Sequence, residues 1–260
     1  MLKHANYSIF VATLYILSFV GIFLLINNED YIWLAPMTFM VWIDHICISL
    51  HHRYISHKSF ESKTELIHKL IILLSLFPMT HSPLRFAVIH RHHHWANLED
   101  ETLDAHGPAT GFWNTLIFWE FNMTNVVKNL KYKMYKDLLR DKFLVWFDTH
   151  YYKLIIGLSL IVYLISWKLF WYVLIPASIV TRLTANFCTN WICHTRGYQN
   201  YKVGKDTSTN NVICGIITGG EGWHNNHHAN PNNWRFGEKK WELDPTAFII
   251  KNFLMKHEST

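Results

Sequence analysis

Three histidine clusters carry the chemistry latent in this sequence. His224, His227 and His228 follow Gly219-Gly220-Glu221-Gly222-Trp223, and offsets of three and four residues put their rings on one face of a helix. His90, His93 and His94 repeat that spacing. His52 and His57 are about 140° apart on an ideal helix. That helix therefore ends or bends between them, or the two rings meet one ion from different sides. Asn190 and His194 add a polar pair at i and i+4. Imidazole is the commonest metal-ligating side chain and suits iron, copper and zinc. Structural zinc takes four ligands, usually with cysteine, and catalytic zinc takes three plus water. Nine imidazoles overshoot both. Two iron ions with four or five nitrogens each would use them all, and iron is the common choice for turning dioxygen on unactivated C–H bonds.

Composition says what surrounds these clusters. The 260 residues include 18 histidines, of which the nine outside the clusters repeat at no ligand spacing. Half the chain is hydrophobic and 12 residues are Trp, yet the mean hydropathy is near zero. That combination points to a membrane-embedded half and a polar half. The net charge of +5 is spread along the chain, which argues against nucleic-acid binding and fits basic residues facing anionic headgroups. Cys47, Cys188, Cys193 and Cys214 form no CxxC pair and read as reduced, packed thiols.

The elements that must position the clusters are helices. Tyr7–Ile26 carries no charge and is long enough to cross a bilayer; Tyr31 to His52 returns as a second span after a short turn at Asn27–Asp30. The polar stretch from Arg53 to Lys69 holds four basic residues and belongs on the cytoplasmic side. Leu70–Phe77, ended by Pro78, is too short to cross and suits an interfacial or buried helix, and Phe112–Phe121 suits the interface plane. Tyr151–Val180 reads as two spans turning at Ser166-Trp167-Lys168, because a lone lysine at a bilayer centre is costly. The expectation is an all-α integral membrane protein of one domain, 1–260. Its four transmembrane helices lie at about 7–26, 31–52, 150–167 and 169–193, under a cytoplasmic cap of 53–149 and 194–260. Both termini and all the clusters then share one side, and two spans lift ligands just above the membrane.

His52-Arg53-Tyr54-Ile55-Ser56-His57, His90-Arg91-His92-His93-His94 and Gly220-Glu221-Gly222-Trp223-His224-Asn225-Asn226-His227-His228 resemble the three histidine boxes of membrane fatty acid desaturases. Asn190 to His194 with Gly197-Tyr198, Asp137 to Asp141 with Tyr151-Tyr152, and Trp241 to Thr246 look like further elements of the stearoyl-CoA (Δ9) branch. The resemblance runs from about 31 to 253. It implies one iron held by His52, His57, His90, His94 and His228, and another held by His93, His194, His224 and His227, with Asn190 acting through a water. It also implies dioxygen as co-substrate, with electrons from an external ferredoxin or b-type cytochrome. The product would be a cis double bond in a fatty acyl substrate linked to CoA, a carrier protein or a lipid. All-nitrogen ligation calls for carboxylates to orient the rings, and Glu99, Asp100, Asp104 and Glu221 lie near enough in sequence.

Three departures bear on the acyl carrier: Ala105 before His106, Ile89 before His90, and no basic pair around Glu120–Val127. Lys128, Lys131, Lys133, Arg182 and Arg196 are candidates for headgroup contact, Trp191 and Trp223 for the walls of the site. Asp44 and His45, inside the second span, suit a polar lining near the metals or pairing with another helix. An acyl hydroxylase would use the same centre, and a histidine-rich metal transporter is a remote third reading, since most ligands lie outside the apolar runs. The short chain without a targeting peptide suggests a bacterial inner membrane, with the site facing the cytoplasm and an endoplasmic reticulum location left open.

Overall fold

The computed structural model describes residues 4–121 and 130–256, and these are helical apart from turns, loops and three isolated β-bridges. Helix α1, His4–Asn27, is joined by a short turn to α2, Leu34–His51. Tyr7–Asn27 and Tyr31–Ser56 are long and apolar enough to cross a membrane. α3 is Glu65–Leu74 and α4 is Pro83–Glu99, opened by the Ser82 side chain accepting from the Arg85 amide and by proline in its first turn. A short α5, Phe112–Leu116, precedes α6, Lys142–Ile165. α7, Ile175–Ala185, is extended at both ends by π-helical turns, Leu169–Leu174 and Asn186–Ile192. Three short helices close the chain: α8, Val212–Ile217; α9, His224–Ala229; and α10, Pro245–Ile249.

α7 is the central helix and packs on both α1 and α2. The Ser18 hydroxyl of α1 donates to the Ile175 carbonyl at 3.0 Å, and Thr181 of α7 donates to Asp44 of α2 at 3.1 Å. The chain does break at Ser166, and Lys168 there is paired: its Nζ lies 2.9 Å from Asp30 in the turn between α1 and α2. Asn28 donates to the Tyr172 hydroxyl at 2.8 Å beside it. Both hairpin turns therefore lie together at one end of the bundle. The third expected span begins earlier than 150, at Lys142, where Asp141 accepts from the Leu144 amide. It carries Asp148 and Lys153, and the fourth is divided by its π turns, so neither forms an unbroken apolar run of the kind α1 and α2 present.

The polar half wraps the opposite end. α3 is amphipathic, burying Ile71 and Ile72 while Leu66 and Leu70 stay exposed. Arg53 is not a cytoplasmic surface charge but is fully buried. Its Nη1 donates to both Asp244 oxygens at 3.0 and 2.9 Å and to the Trp234 carbonyl at 2.9 Å, and its guanidinium lies 3.8 Å from the Phe236 ring centroid. It thereby ties the end of α2 to the loop before α10. The four cysteines are free and buried. A buried ion pair broken on one side leaves a charge without compensation. Arg53→Met should therefore lower the unfolding free energy by roughly 3–5 kcal/mol, read as a fall in the thermal midpoint in detergent. Lys69→Ala, at an exposed i,i+4 pair with Glu65, should leave the midpoint unchanged.

Candidate metal centre

The first pair of histidines meets through a change of helix type. His52–Ser56 is a π-helical turn that continues α2. Its hydrogen bonds span five residues rather than four, so the ring five positions on swings back toward the first. His52 Nε2 and His57 Nε2 are 3.2 Å apart. The helix ends there, with the Ser59 amide and hydroxyl both donating to the Arg53 carbonyl. A similar π turn carries Asn190 and leads into His194.

α4 and α9 then share out their rings in mirror fashion. On a helix, rings four apart differ by about 40° and rings three apart by about 60° in the opposite sense. His90 and His94 accordingly turn to one group, with His52, His57 and His227. His224 and His228 turn to the other, with His93 and His194. Each helix gives its i,i+4 pair to one group and its third ring to the other. The division implied by the desaturase resemblance is thus exchanged at its last two members: His227 lies in the first group and His228 in the second, because a shared ion needs the 40° pair.

The separations fit two cations. In the first group, His52 Nε2 is 2.7 Å from His90 Nε2, and His94 Nε2 is 2.9 Å from those of His90 and His227. In the second, His224 Nε2 is 3.1 Å from that of His194 and 3.0 Å from that of His228. Nitrogens bound to one ion at about 2.1 Å and at right angles lie about 3 Å apart. A neutral imidazole has a single N–H, and three of these rings give theirs away from the groups. His93 Nδ1 lies 2.7 Å from Asp104 Oδ2, His52 Nδ1 beside Glu221 and His228 Nδ1 beside Asp206. Their Nε2 lone pairs converge, which is unfavourable unless a cation sits among them. His194 Nδ1 lies 3.3 Å from the Thr207 hydroxyl, while His224 and His227 Nδ1 have no partner.

Burial, reinforced by neighbouring imidazoles, holds His57, His90, His94, His224, His227 and His228 well below the usual histidine range, hence neutral and able to ligate. Burial pushes the Glu221 carboxyl up, but His52 and Arg53 outweigh it and bring it down to about 2. Asp104 is likewise raised by burial and held well below its ordinary value by His106 and His93. Of the four carboxylates expected near the metals, Asp104 and Glu221 face the rings. Glu99 is exposed, and Asp100 caps a turn by accepting from the Thr102 amide. Asp206 was not marked by sequence. It lies 22 residues before its histidine in an unpatterned loop, where no local spacing signals it. His106 was also passed over; it stacks on His93 at 4.8 Å and faces Asp104.

Asn190 donates to Asn186 at 3.2 Å and, with His93 and His224, lines a cavity of about 100 Å³ that reaches the first group at His52 and His90. His45 lines it too and lies 2.8 Å from the Thr184 hydroxyl on α7, so it both lines the cavity and pairs with another helix. Trp223 is fully buried under α8, and Trp191 meets Phe112 edge-on. Among the candidate headgroup residues, Arg182 is buried against Glu120, Lys131 lies over the Trp95 ring, and Lys128 falls outside the described residues.

α9 has no apolar face; asparagines hold it. The Asn210 carboxamide oxygen accepts from the Asn225 and Asn226 amides, and Asn226 donates to Glu242 and the Phe236 carbonyl. Two glycines let the approach to α9 close: Gly220 has φ +117°, and a Cβ on Gly222 would stand 2.1 Å from the Gly215 nitrogen.

The family description "Fatty acid desaturase" matches residues 31–247 of this chain. The chain is 30% identical over 202 residues to an acyl-CoA 5-desaturase of Anemone leveillei, covering 77% of this chain and 62% of that protein. It is 32% identical over 227 residues to a probable chloroplastic lipid desaturase of Arabidopsis thaliana, covering 84% of this chain and 60% of that one. It is also 32% identical over 224 residues to an sn-2 palmitoyl-lipid 9-desaturase of Nostoc sp. (strain 36), covering 84% and 77%. The chain thus spans about three fifths of the length of the first of these relatives.

Two outcomes follow from this geometry. Asp206→Asn should weaken metal binding at the second group about 10–100-fold, seen as one equivalent lost first to a chelator, whereas Asp100→Asn should leave metal content unchanged. The folded values of His57, His90, His94, His224, His227 and His228 lie below the unfolded value of about 6.5, so below that pH the unfolded chain binds more protons on these groups. The metal-free protein should therefore lose stability as the pH falls through about 6.5 and downward, measured by denaturant melts across pH.

Proposed function

The chain belongs to the fatty acid desaturase family, and we propose that it is an oxygen-dependent di-iron acyl desaturase that introduces a cis double bond, at the Δ9 position, into a saturated acyl chain. The observation that carries the reading is the convergence of nine ring nitrogens into two groups at one end of a helical bundle, beside a cavity. Two iron ions, bound by His52, His57, His90, His94 and His227 and by His93, His194, His224 and His228, would supply dioxygen activation. Asn190 would bind the second through a water. With two electrons from a ferredoxin or b-type cytochrome and two protons, dioxygen leaves as two waters and the acyl chain loses two hydrogens.

The protein's own part is to hold and to exclude. Asp104, Glu221 and Asp206 keep protons on the Nδ1 atoms of His93, His52 and His228, which aims each Nε2 inward. Ile48, Phe86 and Ile89 give the cavity apolar walls for a methylene chain and keep bulk water from the reacting carbons. The acyl group rides on CoA, a carrier protein or a lipid; the named relatives include both acyl-CoA and acyl-lipid enzymes.

A single domain, 1–260, spans the membrane four times, with α6 and α7 as third and fourth spans beside α1 and α2. Ile156, Leu160, Ile161, Leu164 and Ile165 on α6 are exposed, as a lipid-facing surface requires. In this arrangement the Asp30–Lys168 pair lies at the end away from the histidines, and the histidines would face the cytoplasm of a bacterial inner membrane.

Expression in a host lacking the activity, followed by mass spectrometry of its acyl chains, tests the reading. An alkene should appear, and His227→Ala should abolish it while the protein stays in the membrane fraction. A hydroxy acid instead would assign the sister reaction. Equal product from the variant would remove the site assignment.

A further inference from the structure

The cavity beside the metal groups has a second, polar end. Thr80, Trp119, Glu120 and Arg182 line it together with the imidazoles of His52, His90, His93 and His224. Ile48, Phe86 and Ile89 line the same cavity, Phe86 stacked on His90 and Ile89 packed with Trp119. The polar end is built rather than incidental. Arg182 and Glu120 form a buried ion pair, and Arg182 also donates to the Tyr7 hydroxyl at 3.0 Å and the Met79 carbonyl at 2.8 Å. These bonds fasten α7 to α1 and to the loop before α4, and so fix the backbone that carries Thr80. Trp119 is packed against His106 at 4.8 Å.

Several polar atoms at this end are buried without a partner. They are the Thr80 hydroxyl, the Trp119 indole N–H, Glu120 Oε2 and Arg182 Nε. Thr80 is 8% exposed and Trp119 6%. Leaving a buried donor unmade costs its full desolvation, so the Thr80 hydroxyl and the Trp119 indole N–H on one cavity indicate an acceptor that completes them. Two neutral donors lining a cavity that also has apolar walls suit one oxygen acceptor at the head of a hydrocarbon chain. Resting on the reading of this cavity as an acyl site, we infer that Trp119 Nε1–H and Thr80 Oγ–H hold the carbonyl oxygen of the acyl ester or thioester. The chain then runs from there past the apolar walls to the two metal groups. Trp119 and Thr80 are thus positioning residues that set how far along the chain the metals act.

The test uses the purified full chain in nanodiscs and reads binding rather than turnover. Wild type is titrated with stearoyl-CoA and with its octadecyl thioether analogue, which lacks the carbonyl. A parallel arm compares a palmitoyl ester phospholipid with the matching alkyl ether. In one arm the carbonyl compound should bind about tenfold more tightly, as one buried hydrogen-bonding site allows, and that arm identifies the joint as thioester or ester. Trp119→Phe and Thr80→Val should each bring the ratio toward one while leaving the affinity of the carbonyl-free analogue unchanged. In the active protein the same variants should spread the double bond over neighbouring positions. A wild-type ratio of one in both arms, or variants that keep the full ratio, overturns the inference. Failure of all four compounds to bind wild type would instead strike at the acyl reading itself.

Discussion

Everything in this protein is arranged around the cost of burying nine imidazoles with their lone pairs pointing at one another. Alone, such a cluster repels itself and would rather be protonated and solvated. Burial disfavours the charged form, and three carboxylates fix which nitrogen is free: Asp104, Glu221 and Asp206 take the outer N–H of His93, His52 and His228 and leave the inner nitrogens as bases. Those carboxylates are in turn held down. Arg53 and Ser49 reach Glu221, and the Ser208 amide donates to Asp206 at 2.7 Å. The centre is consequently several layers deep, and its outermost members contact no metal.

The apolar bundle and the polar cap answer to different solvents. In the bundle, exposed leucines and isoleucines on α1 and α6 contrast with polar contacts concentrated on α7, where Ser18, Asp44 and His45 find partners. Around α9 the cap relies on hydrogen bonds among Asn200, Asn210, Asn225, Asn226 and Glu242. Arg53 joins the two regimes, since it leaves the end of α2 and is bound by Asp244 near the C-terminal end of the described chain.

Local stereochemistry made much of this legible. The spacing of His90, His93 and His94 announces a helix with rings on one side, and an uncharged run from Tyr7 announces an apolar helix. The break at Ser166 followed from the position of one lysine. Other features had no local signal. Asp206 and the asparagines look like ordinary loop residues, and Arg53 and Arg182 look like surface charges until their distant partners, Asp244 and Glu120, are in place.

The sequence alone determined which side chains were available and which of them share a helical face, because both depend on neighbours within about one turn. Only the tertiary structure decided how those rings divide between two groups. That division turns on the 100° between adjacent positions on α4 and α9 and on the π turn that rotates His57 back to His52. It also decided which carboxylates matter, since Glu221 meets a histidine 169 residues away. Proximity across such separations is a property of packing and has no trace in local spacing.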